Sequence, residues 1–260
     1  MIRLRVISLG AGVQSTTLAL MAARGDLDMP DCAIFADTGW EPKAVYRHLE
    51  WLTPQLPFPV YRVERGNIRD DLLRCAEGHW ADVPAFVKNA DGSVGVVNRQ
   101  CTKQYKIRPI RQKVRALLGI ERRPSPDYPI AEQWIGISLD EAMRMKPSGE
   151  PWQTHVWPLI DKRMSRRDCL RWLADRQYPK PPKSACIGCP YHSNDQWRAL
   201  TPDEFTEAIE IDRAIRHSRS KGELYLHRSC LPLDRVDLST EEDRGQLNLF
   251  NNECEGLCGV

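Results

Sequence analysis

A short run rich in glycine and hydroxyl residues, GAGVQSTT at 10–17, separates a β-branched stretch from an apolar one. In a strand–turn–helix unit, such a turn offers free backbone N–H groups and a helix N-terminus to an anion. The hydroxyl residues would add donors, and Gly10 and Gly12 would permit close approach and a positive φ. The run lacks both the Gly-Lys-Ser/Thr ending of a P-loop and the third glycine of G-x-G-x-x-G. We therefore expect either an anion-binding loop of another kind or a tight turn that binds nothing.

Nine cysteines form the second chemical signal, and two of them are spaced as Cys186-x-x-Cys189. This spacing lets two thiolates converge on one metal ion or one iron–sulfur cluster, and a following proline is common in cluster loops. The same spacing also fits zinc or a reversible thiol–disulfide pair. Three other cysteines lie in apolar segments and are expected to be buried hydrophobic side chains: Cys32, Cys75 and Cys169.

Alternating strands and helices are predicted in the first half of the chain. The strands are expected at 4–9, 31–39 and 58–64, and the helices at 15–24, 41–56 and 67–77. This alternation predicts the α/β class, a Rossmann-like parallel sheet with helices on both faces. Further along, we expect a hairpin around Asp91-Gly92, a strand at 155–161 and a helix at 201–222.

Two domains are predicted: an α/β domain at 1–160, and a C-terminal helical lobe at 161–260 that carries Cys186, Cys189 and a cysteine-containing tail. A chain of 260 residues with 42% hydrophobic residues is long enough for one sizeable core.

The composition excludes several function classes. With 37 basic and 35 acidic residues, the net charge is +2, so only a local patch would bind nucleic acid. No apolar run reaches the roughly 18–20 residues of a membrane span, and residues 1–7 lack the features of a signal peptide. We expect a cytoplasmic protein with no membrane partner. In that compartment thiols stay reduced, which favours metal binding or chemistry over disulfides.

Four motifs in order resemble one known superfamily. GAGVQS at 10–15 resembles the pyrophosphate loop of the adenine nucleotide α-hydrolase-like (PP-loop) superfamily. Segments at 36–52, 101–110 and 136–145 resemble motifs of its phosphoadenosine phosphosulfate reductase branch and of the sulfur-activating component of DNA phosphorothioation systems. The resemblance spans roughly 4–198. Within it, Gly10 replaces a serine, Gln14 replaces the loop aspartate and Ser138 replaces an arginine.

The resemblance implies an adenine nucleotide site. ATP with Mg²⁺ would be cleaved between the α and β phosphates, AMP would pass to a substrate oxygen and pyrophosphate would leave. Asp37 would hold Mg²⁺ or a ribose hydroxyl, with a helix N-cap as the alternative, and Lys103 and Lys106 would face the phosphates. The implied nucleotide-binding residues are Ser8, Gly10, Ala11, Gly12, Gln14, Ser15, Thr16, Asp37, Thr38 and Gly136.

The resemblance also adds Cys101 to Cys186 and Cys189 as ligands of a 4Fe-4S cluster. Gln100 stands where the reductases have a second adjacent cysteine, so either a distant residue supplies the fourth ligand or one iron is open. Zinc held by the same residues is the alternative. Candidates for the fourth ligand are Cys230 first, then Cys254 and Cys258, and last His192 and His227.

The tail resembles an interrupted form of the Glu-Cys-Gly-Leu-His motif of sulfonucleotide reductases. Cys254 and Cys258 would then be nucleophiles or persulfide carriers, or else incidental thiols of a disordered tail.

The function expected from these observations is an ATP-dependent iron–sulfur sulfurtransferase acting on a nucleobase or nucleic acid. The sulfur donor would be a cysteine desulfurase or sulfide, and the partner a tRNA, DNA or a nucleobase. The basic segment 99–115 is either a nucleic-acid footprint or a set of solvated helix faces. The alternatives are a thioredoxin-dependent sulfonucleotide reductase and a non-catalytic nucleotide- and cluster-binding subunit of a modification complex. A homodimer is a further expectation from the resemblance.

Overall fold

The structure is a computed structural model that describes residues 1–76, 83–97, 100–218, 222–240 and 243. Its strands are β1 (Leu4–Ser8), β2 (Cys32–Asp37), β3 (Val60–Glu64), β4 (Phe86–Lys88), β5 (Val94–Val96), β6 (Ala131–Ile135), β7 (Gln153–Val156) and β8 (Glu223–Tyr225). Its α-helices are α1 (Val13–Ala23), α2 (Lys43–Leu52), α3 (Ile68–Ala76), α4 (Arg108–Leu117), α5 (Pro158–Asp161), α6 (Arg166–Ala174), α7 (Asn194–Arg198) and α8 (Pro202–Ile215). A π-helical segment, Thr102–Ile107, leads into α4, and a 3₁₀ segment covers Leu139–Arg144. In this part of the chain, no helix combines the length and apolarity needed to cross a membrane.

Five parallel strands form the central sheet in the order β3-β2-β1-β6-β7. β1 is the middle strand, with Val6 opposite Cys32 on one side and Gln133 on the other. The chain builds outward from β1 to β3 and then crosses back to place β6 on the opposite side of β1. This reversal makes the β1/β6 boundary a topological switch point, where open α/β sheets bind ligands at the carboxyl ends of their strands.

Helices cover both faces of this sheet, which confirms the predicted fold class. On one face, Leu18 of α1, Leu49 of α2 and Leu173 of α6 pack with Ile7 and Phe35. On the other face, α4 buries Ile110 and Val114 against Val6 and Ile34 of the sheet. The central-sheet strand β2 is buried along its whole length and reads as a nearly continuous apolar run, CAIFAD, as buried parallel strands do.

A smaller antiparallel sheet has the order β5-β4-β8. The predicted hairpin around Asp91-Gly92 is confirmed, since β4 pairs with β5 across that turn. Its other neighbour, β8, comes from the far end of the chain, and α8 packs against α3 and β8. α6 packs on α1 in the main core. A separate C-terminal helical lobe is therefore not confirmed, and the division near residue 160 stays a prediction.

Two predicted elements end earlier than expected. The helix predicted at 201–222 ends at Ile215, because the backbone of Arg216 turns to pair with Leu224. The strand predicted at 155–161 ends at Val156, and Pro158, which lacks an N–H for the sheet, begins α5.

Candidate functional site

A cavity of about 390 Å³ opens at the carboxyl ends of the central strands. Its lining includes the ends of β1, β2 and β6 and the loop between β1 and α1. The cavity therefore lies at the switch point of the sheet, beside the N-terminus of α1. Both features favour an anionic ligand.

The β1–α1 loop adopts a conformation that the glycine pattern alone did not predict. The positive φ expected at Gly10 or Gly12 is wrong: Gly12 is extended, and the left-handed residue is Ala11, with φ of 56°. Ala11 is fully buried, so its surroundings hold a conformation that costs a non-glycine residue about 1–2 kcal/mol. Gly10 and Gly12 instead keep the cavity wall free of side chains.

Gly136, just after β6, fixes the position of the loop. A Cβ at Gly136 would lie 2.8 Å from the backbone nitrogen of Ser15. Only glycine allows the end of β6 to pack so closely against the start of α1. The Ser15 hydroxyl accepts a hydrogen bond from the Gly10 N–H at 3.2 Å, which closes the loop on itself.

Gln14 joins the loop to two other segments of the cavity wall. Its Nε2 donates to Glu141 Oε2 at 3.2 Å and to Ser138 Oγ at 3.4 Å, and its Oε1 accepts from Arg166 Nη1 at 3.2 Å. Arg144 pairs with the same Glu141 carboxylate. The two residues that depart from the superfamily pattern, Gln14 and Ser138, are thus partners of each other.

Positive charge dominates the wall of this cavity. The cations that line it are Lys106, Arg111, Arg144, Lys146, Arg166 and Lys183, whereas the lining carboxylates are Glu141 and Glu150. Glu150 pairs with Arg111 at 2.7 Å. The remaining positive charge suits a polyphosphate.

Apolar and amide side chains form the rest of the cavity. Gln133 Nε2 donates to the Ser8 hydroxyl at 2.5 Å, and Gln153 Nε2 donates to Gln133 Oε1, which gives a polar row across three strands. Four isoleucines also line the cavity: Ile107, Ile110, Ile135 and Ile137. Apolar walls with a few hydrogen-bonding groups are typical of small-molecule sites.

A second, smaller cavity gathers three of the predicted metal ligands. Cys101, Cys186 and Cys189 all line this space of about 30 Å³. The Cys189 N–H donates to the Cys186 carbonyl at 3.0 Å, so the C-x-x-C pair forms a tight turn. A Cβ at Gly188 would lie 2.1 Å from Cη2 of Trp40, so the indole packs directly on this turn.

The three thiols around the small cavity are the type of ligand that holds an iron–sulfur cluster. The cavity of about 30 Å³, in its present form, is too small to contain one. None of the six described cysteine thiols forms a disulfide. Within the described residues, no three or more Cys, His, Asp or Glu side chains are grouped so that they could hold one metal ion. In a 4Fe-4S cluster each cysteine binds a different iron, so its ligands need not converge on one point. Three cysteines would leave one iron for another ligand.

The two cavities share a wall. Thr102, Lys106, Cys189 and Tyr191 line both of them. The cysteine site therefore adjoins the cationic cavity, with one thiol and one ammonium group at the boundary.

Asp37 does not line either cavity. Its carboxylate is 1% exposed and accepts hydrogen bonds from Gly39 N at 2.8 Å, Tyr46 Oη at 2.9 Å and Arg62 Nε at 2.6 Å. Burial and the hydrogen bond to Asp37 raise the pKa of Tyr46. The N-cap of α2 is Pro42, so Asp37 stabilises the turn after β2 and not the helix end.

Other predicted residues also lie away from the cavities. Thr16 bonds His48 Nε2 at 2.9 Å in the core, and Lys103 is exposed. Cys230 is buried after β8 and lines neither cavity. Cys254 and Cys258 lie outside the described residues. The predicted residues that do line a cavity are Ser8, Gly10, Gly12, Gln14, Ser15, Thr38, Cys101, Lys106, Gly136, Cys186, Cys189 and His192.

Two of the three cysteines expected to be hydrophobic side chains are described, and both are buried. Burial raises the pKa of Cys32 to about 11 and that of Cys169 to about 12, so neither thiol is reactive at neutral pH. The side chain of Cys75 lies outside the described residues.

Sequence reasoning missed several cavity residues, including Arg166 and Lys183, whereas His192, one of its last candidates for the fourth ligand, does line this cavity. His192 is 6% exposed, and burial lowers its pKa to about 3, so its imidazole is neutral. Lys183 lies close to the C-x-x-C pair in the sequence, which was the available signal. Arg166 comes from α6, and only the fold brings it to Gln14.

Compared with models of protein families and with curated proteins, the chain gives no match.

Proposed function

We propose that this protein is an ATP-dependent sulfurtransferase that activates an acceptor oxygen as its adenylate and replaces that oxygen with sulfur. The observation that carries the proposal is the shared wall: Cys189 and Lys106 border both the cationic cavity and the three-cysteine cavity. A nucleotide and a sulfur source would then lie on two sides of the same side chains.

Nucleotide binding is supported by the loop at the switch point. Residues of the β1–α1 loop and of the N-terminus of α1 line a cavity that six lysine and arginine side chains also line. Its isoleucine walls suit the flat face of a base. The loop motif, which resembles that of the PP-loop superfamily, supports the same ligand.

The proposed reaction consists of two displacement steps and needs no oxidant or reductant. The acceptor's carbonyl oxygen attacks the α-phosphorus of ATP, the bond between this phosphorus and the bridging oxygen breaks, and pyrophosphate leaves. A sulfide then attacks the activated carbon, and AMP leaves with the acceptor's original oxygen. Lys106, Arg144 and Arg166 would stabilise the negative charge that develops on the leaving pyrophosphate.

Cys101, Cys186 and Cys189 would hold the iron–sulfur cluster, which would supply a site for sulfide when bound. The chain's own contribution is to place this site. Trp40 packs on Gly188, and the Ile187 N–H donates to the Trp40 carbonyl at 2.9 Å, which fixes the cysteine turn beside the cavity. The acceptor class is a nucleobase, free or in tRNA or DNA, since the cavity combines cations with apolar walls.

The test is an anaerobic assay with iron- and sulfide-reconstituted protein, ATP, sulfide and either total tRNA or DNA. We expect AMP and pyrophosphate in equal amounts, and thionucleosides in the digested nucleic acid by mass spectrometry. Lys106→Ala should lower pyrophosphate release about 100-fold, the usual effect of removing one group that stabilises developing charge. Lys180→Ala, an exposed lysine outside both cavities, is the matched control and should match the wild type.

Other outcomes separate the alternatives. Thioredoxin-dependent release of sulfite from a sulfonucleotide, without pyrophosphate from ATP, would identify a reductase. Stoichiometric ATP binding without turnover would identify a nucleotide-binding subunit.

A further inference from the structure

Glu41 is a buried carboxylate in contact with the cysteine site. The residue is 3% exposed and directly precedes Pro42, the N-cap of α2. Its Oε1 accepts a hydrogen bond from the Thr38 hydroxyl at 3.1 Å and lies 3.8 Å from Cys186 Sγ. Lys106 Nζ is 3.6 Å from the same oxygen. All three of these neighbours line the three-cysteine cavity.

The second carboxylate oxygen is the anomaly. Glu41 Oε2 is buried and has no hydrogen-bond partner among the described residues. A buried charged acceptor without a partner is destabilising, because burial removes its hydrogen bonds to water and no protein hydrogen bond replaces them. The contacts of Oε1 leave Oε2 available for a ligand that the protein atoms do not supply.

We propose that Glu41 is the fourth protein ligand of the cysteine site, and that its carboxylate binds the iron left over by Cys101, Cys186 and Cys189. This inference rests on the proposed function, because it assumes the iron–sulfur cluster. The carboxylate is a hard anionic donor that binds iron, and it lies beside Cys186 in a rigid turn. Sequence reasoning gave this place first to Cys230. Neither Cys230 nor Glu41 lines a cavity, but Glu41 lies 3.8 Å from Cys186 Sγ through its Oε1.

Position and rigidity both favour this role. Trp40 is held against the C-x-x-C turn through Gly188, and Pro42 limits the backbone on the other side of Glu41. Lys106, whose side chain is 21% exposed, balances part of the negative charge that the ligand set brings. The carboxylate is therefore placed before any metal arrives.

The test is anaerobic reconstitution of the full chain with ferrous iron and sulfide, for the wild type, Glu41→Gln, Glu41→Ala and Cys230→Ser. Readouts are iron and sulfide content, Mössbauer spectra and EPR after mild oxidation. We expect about four irons per chain in the wild type and Cys230→Ser. Both Glu41 variants should lose one iron and show the EPR signal of an oxidised three-iron cluster. Mössbauer spectra of the wild type should show one iron with an oxygen ligand.

The outcomes distinguish this inference from the proposed function. A wild-type cluster in both Glu41 variants, with unchanged Mössbauer spectra, would overturn the inference alone. Loss of the fourth iron in Cys230→Ser, or in a Cys254→Ser/Cys258→Ser variant, would assign the ligand elsewhere and also overturn it. A wild type that takes up no iron would overturn both proposals. Circular dichroism and ATP affinity of each variant show whether it is folded.

Discussion

The position of the β1–α1 loop in the wall of the cationic cavity depends on Gly136 having no side-chain methyl group. A Cβ there would lie 2.8 Å from Ser15 N, a backbone atom that cannot move alone. Gly136→Ala should therefore displace the β1–α1 loop, because overpacking typically costs about 1–3 kcal/mol of stability, and so weaken the ATP binding proposed for this loop. Calorimetric titration with ATP measures this loss.

Gly149→Ala provides the matched control for that substitution. Gly149 lines the same cavity, but a Cβ at this position would have no neighbour within 4 Å. We expect its ATP affinity to equal that of the wild type. Equal affinities in both variants would mean that the loop does not bind the nucleotide.

Single residues also show how far the sequence predicts this site. The C-x-x-C spacing and the resemblance around Cys101 selected three residues that do line one cavity. The ligand role proposed for Glu41 was not predicted, because a glutamate before a proline carries no metal signal on its own. Its proximity to Cys186 arises only when the turn after β2 meets a loop from a distant part of the chain.

Among the helices, α8 has the clearest sequence signal for its start. Thr201 caps it by accepting from Glu204 N at 3.3 Å, while Glu204 Oε2 accepts from Thr201 N at 3.0 Å. Thr201→Ala should lower the free energy of unfolding by about 1 kcal/mol, measured by urea denaturation. Thr206→Ala, an exposed threonine within the same helix, should change it by less than about 0.5 kcal/mol. Equal losses in both variants would contradict a capping role.

The same capping box should make stability depend on pH. Burial raises the pKa of Glu204, but hydrogen bonds from the Thr201 and Lys43 backbone N–H groups outweigh it, and the net pKa lies below 4.5. A carboxylate with a depressed folded-state pKa stabilises the fold above its unfolded-state pKa and loses this contribution as pH falls. Glu204→Gln should therefore be less stable than the wild type at pH 7. The difference should shrink as pH falls below 4.5 and through the lower folded-state pKa of Glu204, and a constant difference would contradict this account.

The type of each helix or strand was predicted more reliably than its length or the strand with which it pairs. The alternation of apolar runs predicted β1, β2 and β3 and their intervening helices, because each pattern is local. The end of α8 at Ile215 was not predicted, since it depends on Arg216 pairing with Leu224. The partner β8 for β4 was also missed, because no local pattern records which distant strand completes a sheet.

At the scale of the whole molecule, the central feature is the wall between the two cavities. A nucleotide bound at the switch point would cover the side of Cys189 that faces the large cavity. Cys186 lines only the small cavity, so the same nucleotide would shield it less. Anaerobic, metal-free protein treated with iodoacetamide should therefore lose Cys189 alkylation as ATP is added. Alkylation of Cys186 should change less, as measured by peptide mass spectrometry.

Repeating the alkylation with adenosine in place of ATP separates two effects. Adenosine has no phosphates, so it would occupy the base region without occupying the loop. Because the cations surround the loop, we expect protection of Cys189 to follow the ATP binding curve and to weaken as salt screens these charges. The Gly136→Ala variant should need more ATP for the same protection, whereas Gly149→Ala should not. If ATP protects Cys186 and Cys189 equally, the protection reflects a general tightening of the protein. In that case the shared wall would not be the route by which the nucleotide reaches the cysteine site.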